Sequence, residues 1–124
     1  MAMKFQREPG SEFAITAYTA DSISVGGAEY RHSLRVSHQA KAALWPVTSF
    51  DQINADTVAD GTKVGAEIVI IGTGNTLRFP KPETLRPLID ARIGFEVMNT
   101  AAACRTYNVL LSEGRQVAAL LLIE

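Results

Sequence analysis

The chain has 124 residues, 47% of them hydrophobic, and twelve Lys and Arg against thirteen Asp and Glu leave a net charge of −1. That length suits one domain, residues 1–124, able to bury a core without disulfides or metals, and the balance of charge argues against a nucleic-acid partner or an anionic membrane surface. One cysteine excludes an internal disulfide, and with only two histidines it makes no closed zinc site of ordinary spacing, so neither a metal nor a cofactor is expected.

The opening residues 1–10 contain no apolar stretch of signal-peptide length, and no later run approaches the roughly 18 apolar residues of a membrane span. These features predict a soluble, cytoplasmic protein without membrane insertion, its residues 1–12 a loosely ordered segment. Next, residues 13–19 and 23–25 read as strands, and Gly26-Gly27 as a hairpin turn into a longer strand over residues 28–37. This is a β meander. In the longer strand Tyr30, His32, Leu34 and Val36 should share the buried face, with Arg31, Ser33 and Arg35 in solvent. Residues 43–47 can add a short strand, which Pro46 confines to an edge or an end.

Ser49 and Gln52 have the spacing of a capping box, which predicts a helix over residues 50–58 that stops before Asp60-Gly61. Residues 67–71 form the most apolar β-branched run and are expected at the sheet centre. Thr84 can cap a following helix with Pro87 in its first turn and Leu85, Leu88, Ile89 and Ile93 as its buried stripe. Alternation resumes at Phe95-Glu96-Val97 after Gly94. Asn99 or Thr100 then caps a long helix carrying Ala103, Cys104, Tyr107, Leu110 and Leu111 on one side, with Gly114 as its left-handed stop. Residues 116–123 are too continuously apolar for a half-exposed strand and predict an interior one of undetermined direction. The alternation of elements is that of an α/β domain.

Three stretches, Ile70-Ile71-Gly72-Thr73-Gly74, residues 94–108, and Ser112-Glu113-Gly114-Arg115, together resemble a known family. It is the small Mth-type family of unknown function that includes the mitochondrial complex I (NADH dehydrogenase) assembly factor three and the adipogenesis-associated animal protein. The resemblance runs from about residue 13 onward and implies a three-layer β+β/α fold around a central mixed sheet. It also implies a non-enzymatic protein-binding or assembly module, linked to a membrane-bound complex through a protein partner, with no catalytic residues established.

The residues themselves offer one candidate corner. If the strands before Gly72 and Asn99 are parallel neighbours, the Gly72, Thr73, Gly74, Asn75 loop and the helix start at Asn99 and Thr100 emerge at the same edge and leave a crevice. Helix N–H groups there favour an anion, and Arg78 or Arg105 could add positive charge. The alternative function is therefore a binding protein or enzyme for a small anionic molecule. The same residues equally suit a purely structural task as cap and turn. Cys104 joins the candidates as the only thiol, although neither His32 nor His38 stands at a spacing that supplies its base, so no catalytic residue is assigned. Glu96, if buried, would need Arg78 or Arg105 as its cation. An open edge of the meander could pair between subunits to give a homo-oligomer.

Overall fold

The structure is a computed structural model and describes residues 11–124. Its frame is a five-stranded mixed sheet. β1 (Ile15–Tyr18), β2 (Ile23–Val25) and β3 (Ala28–Tyr30) make a separate antiparallel meander, while β4 (Leu34–Ser37), β5 (Ala43–Leu44), β6 (Ile68–Gly72), β7 (Gly94–Met98) and β8 (Val117–Leu121) build the main sheet in the order β5-β4-β8-β6-β7. β6 runs parallel to both β7 and β8, and β4 runs antiparallel to β8 and β5. The last strand is thus the centre of the sheet, with β6 beside it.

Alternation along the strands divides the apolar residues between two cores. Leu34, Val36, Ile70, Val117, Ala119 and Leu121 face the meander and the long helix α3 (Thr100–Ser112), which contributes Ala103, Cys104 and Tyr107. Val69, Ile71, Ala118, Leu120 and Leu122 face the opposite layer, where Trp45, Val58 and Leu88 arrive from the connections and the short helices α1 (Ala55–Val58) and α2 (Arg86–Asp90). Three layers result, with the main sheet in the middle.

The meander is tied down by side chains of α3 acting as strand partners. Asn108 accepts from the Ile15 N–H at 2.9 Å and donates to the Ile15 carbonyl at 2.7 Å, and the Tyr107 hydroxyl donates to the Phe13 carbonyl at 2.8 Å. Gly26 and Gly27, at φ 58° and 92°, close the hairpin in a conformation that glycine adopts without strain. Of the segment expected to be loose, residues 1–10 lie outside the described residues, while Ser11–Phe13 form a 3-10 turn.

Four local expectations are corrected. The strand predicted over residues 28–37 breaks into β3 and β4, because the chain changes sheets at residues 31–33. Ser33 is buried there, its carbonyl oxygen accepting from the Trp45 N–H and its hydroxyl oxygen accepting from the Ile123 N–H at 2.8 Å. His32 is consequently exposed, edge-on to the Tyr30 ring, and Arg35 is half-buried against Asp60 at 3.3 Å. Ser49 makes no side-chain cap; Gln52 instead accepts from Thr48, and the capping box is Asn54 with Thr57, starting α1 later than expected. Thr84 lies inside a 3-10 turn and caps nothing, and with α2 only five residues long Ile89 falls on the exposed side. Among the described residues no helix is long and apolar enough to cross a membrane.

Candidate functional site

The parallel pairing of β6 with β7 and β8 brings the ends of β6 and β8 and the start of α3 to one corner. Asn99 is the helix cap, in extended conformation, its Oδ1 accepting from the Ala102 N–H at 2.8 Å. Thr100 is freed for another task. Its hydroxyl donates to the Leu122 carbonyl at 2.7 Å and accepts from the Gly74 N–H at 2.8 Å, while its own N–H bonds the Gly74 carbonyl at 2.9 Å. One threonine therefore joins the loop after β6, the end of β8 and the start of α3.

Gly72 is required by the closeness of this joint. A Cβ there would lie 3.0 Å from both Thr100 Cα and Thr100 Oγ1 and 3.2 Å from Ala103 Cβ. Thr73 is fully buried and closes the loop on itself: its N–H bonds the Met98 carbonyl, and its hydroxyl donates to the Thr76 carbonyl at 2.7 Å and accepts from the Arg78 N–H at 3.2 Å.

Positive charge and free donors at this corner meet an internal carboxylate. Glu124 accepts from the Asn75 N–H at 3.0 Å and from the Arg78 guanidinium at 2.7 Å, and the guanidinium also stacks 5.0 Å from the centre of the Phe50 ring. The Asn75 N–H, and after it Arg78, hold the Glu124 carboxyl below the usual carboxylate range. Of the first-turn N–H groups of α3, those of Thr100 and Ala102 are bonded, which leaves Ala101 alone without a partner among the described residues.

Beside the joint is an open recess of about 240 Å³ whose walls are residues 18–20 of the meander, Gly74, Asn75, Asn99, Thr100 and Ala101, with Leu122 at its base. On the exposed face of α3, Arg105 donates to the Tyr18 hydroxyl at 2.9 Å. Seven sequence candidates, Gly72, Thr73, Gly74, Asn75, Arg78, Asn99 and Thr100, thus meet at the corner, and Arg105 lies one turn along the helix. Cys104 does not join them. It points into the core with no exposed surface, and burial pushes its thiol up to about 12 against a smaller opposing pull from Arg105, which leaves it protonated and inert as a nucleophile. Glu96 is exposed on β7, and both proposed cations are engaged elsewhere.

Tyr18, Leu122 and Glu124 belong to the corner without any local signal in the sequence. They arrive from a different sheet and from the end of the central strand, 46 residues from Arg78 in the case of Glu124.

A family model described as a protein of unknown function (DUF498/DUF598) matches residues 15–122. An uncharacterised protein of Rhodobacter capsulatus is 37% identical over 119 residues, which are 94% of this chain and 90% of that protein. The NADH dehydrogenase (ubiquinone) 1 alpha subcomplex assembly factor 3 of Xenopus tropicalis is 27% identical over 121 residues, covering 96% of this chain and 66% of the assembly factor, so the chain spans about two thirds of that relative's length. A crystal structure of a Bordetella parapertussis protein matches with a TM-score of 0.84 at 34% identity, over 90% of this chain and 95% of that one.

Proposed function

The chain belongs to the DUF498/DUF598 family of proteins of unknown function, and from that premise we propose that it is a non-enzymatic protein-binding module that assists the assembly of a membrane-bound complex from the cytoplasm. The observation that carries the reading is the match to an assembly factor along nearly the whole chain, which takes in both sheets and α3 rather than one local motif. The state of the corner supports it. Glu124 already takes the Arg78 guanidinium and the Asn75 N–H that a small anion would use, and the sole thiol is buried and protonated. What the corner offers outward is surface: the Tyr18–Arg105 pair, Asn75 and Ala101 around an open recess, a form suited to a protein contact.

Crosslinked affinity purification of the tagged protein from its own cells tests this reading, with Arg105→Ala run beside it and both melting temperatures measured. Reproducible recovery of subunits of a membrane-bound complex is expected, weakened by Arg105→Ala while the melting temperature stays unchanged. Recovery of background proteins only, in both samples, contradicts the reading.

A further inference from the structure

We propose that the exposed segment Phe79-Pro80-Lys81-Pro82 is itself a ligand: it enters an aromatic-lined groove of a partner protein, where a partner carboxylate meets Lys81. The inference rests on the protein-binding part of the reading above and deepens it, naming where the partner is gripped and by what chemistry. The segment leaves the corner already described, since Asn75 is on the wall of the recess and the chain runs on from there through Leu77 to Phe79. Phe79 is 73% exposed, more than any other large apolar side chain among the described residues, and Leu77 is 48% exposed. Arg78 between them turns the other way, to Glu124 and the Phe50 ring. Two apolar side chains are thereby held in solvent.

The backbone that carries them sets these side chains apart from an ordinary exposed Leu or Phe. Each proline fixes its own φ at about −65°, and the residue before it, here Phe79 and Lys81, is confined to extended backbone. Lys81 has φ −64° and ψ 150°, the polyproline II conformation. Both ends are anchored. The Arg78 N–H bonds the Thr73 hydroxyl at 3.2 Å before the segment, and the Thr84 N–H bonds the Lys81 carbonyl at 2.9 Å after it, in the 3-10 turn Pro82–Leu85. A partner therefore meets a shape already made, with little backbone freedom left to lose on binding.

The exposed groups specify the partner. The Phe79 N–H and the Phe79 and Pro80 carbonyls have no hydrogen-bond partner among the described residues. An extended backbone with free carbonyls and proline rings fits a groove of Tyr and Trp, whose rings pack on proline and whose polar tips donate. The Lys81 side chain is exposed and pairs with no carboxylate among the described residues, which calls for Asp or Glu at the rim of that groove. A lipid surface fits less well. Arg78 is neutralised by Glu124, Glu83 is exposed two residues beyond Lys81, and the net charge is −1, so no block of positive charge stands beside Phe79.

Photo-crosslinking of the full chain in its own cells tests the proposal, with p-benzoylphenylalanine in place of Phe79 and, as a control, of the exposed Leu44 on the edge strand β5. Mass spectrometry maps the crosslinked residues. A specific product is expected at position 79 and not at 44, its site in the second protein lying between aromatic residues with a carboxylate nearby. In the affinity purification, Phe79→Ala should lower recovery of that protein by about tenfold or more, as for a buried aromatic anchor, and Lys81→Glu should lower it where Lys81→Arg does not. Melting temperatures should be unmoved in all three variants, because the side chains changed lie outside the cores. Recovery of complex subunits that ignores Phe79→Ala and Lys81→Glu overturns this inference and leaves the assembly reading standing. An aromatic groove crosslinked at position 79 on a protein of no membrane-bound complex supports this inference and contradicts that reading. Absence of a specific product at position 79 overturns the inference, as do vesicles of phosphatidylglycerol and phosphatidylcholine that carry down the wild type and not Phe79→Ala.

Discussion

Thr100 shows how much one hydroxyl can hold. It donates to the end of β8 and accepts from the loop after β6, at 2.7 and 2.8 Å, in a half-buried position. Thr100→Val keeps the shape and strands both partners, so denaturant unfolding should show a loss of about 1–3 kcal/mol, whereas Thr100→Ser should recover most of it. Glu124 adds a pH dependence to the same corner. Its folded value lies below the ordinary 4.5, so the stability it contributes is present above that value and disappears as pH falls through the depressed one. Glu124→Gln should therefore melt lower than wild type at neutral pH, with the gap closing in acid. The wild type should still lose stability there through Glu67, whose carboxyl is lowered by the Arg115 guanidinium 2.7 Å away and then by the Gln116 N–H. A constant gap from neutral pH down through the acid range would show that Glu124 acts by some means other than its charge.

At the scale of elements, the joint between β6 and α3 depends on a missing side chain. Gly72→Ala puts a methyl group against Thr100 backbone and Ala103, and thermal and urea unfolding should report a destabilisation of about 1–3 kcal/mol, the usual cost of overpacking. This joint was legible in part. The Asn99 cap, the Gly114 stop at φ 79° and the buried stripe of Ala103, Cys104 and Tyr107 follow from local rules, and α3 has the expected ends. Elements set by distant partners were not legible. His32 and Arg35 change environment because the chain crosses between sheets at Ser33, and Ser33 is held by Ile123, 90 residues away. The first helix begins late because Gln52 turns back to Thr48 and leaves the capping box to Asn54 and Thr57. The run at residues 67–71 is the more strongly β-branched, yet β8 takes the centre, since strand order depends on how β4 folds back upon it.

Over the whole molecule, the main sheet separates two apolar cores and delivers the ends of its parallel strands to a corner closed by the chain's own Glu124. That closure is why a position which in open α/β sheets commonly takes a ligand is here read as surface for a protein partner. The measurement that tests the closure most directly is the melting temperature of the wild type against inorganic phosphate and a broad panel of anionic metabolites, since any ligand that binds the native state raises it by mass action. An unmoved melting temperature across the panel is the predicted result. A saturable rise that Arg78→Ala abolishes would contradict it and return the corner to small-molecule binding.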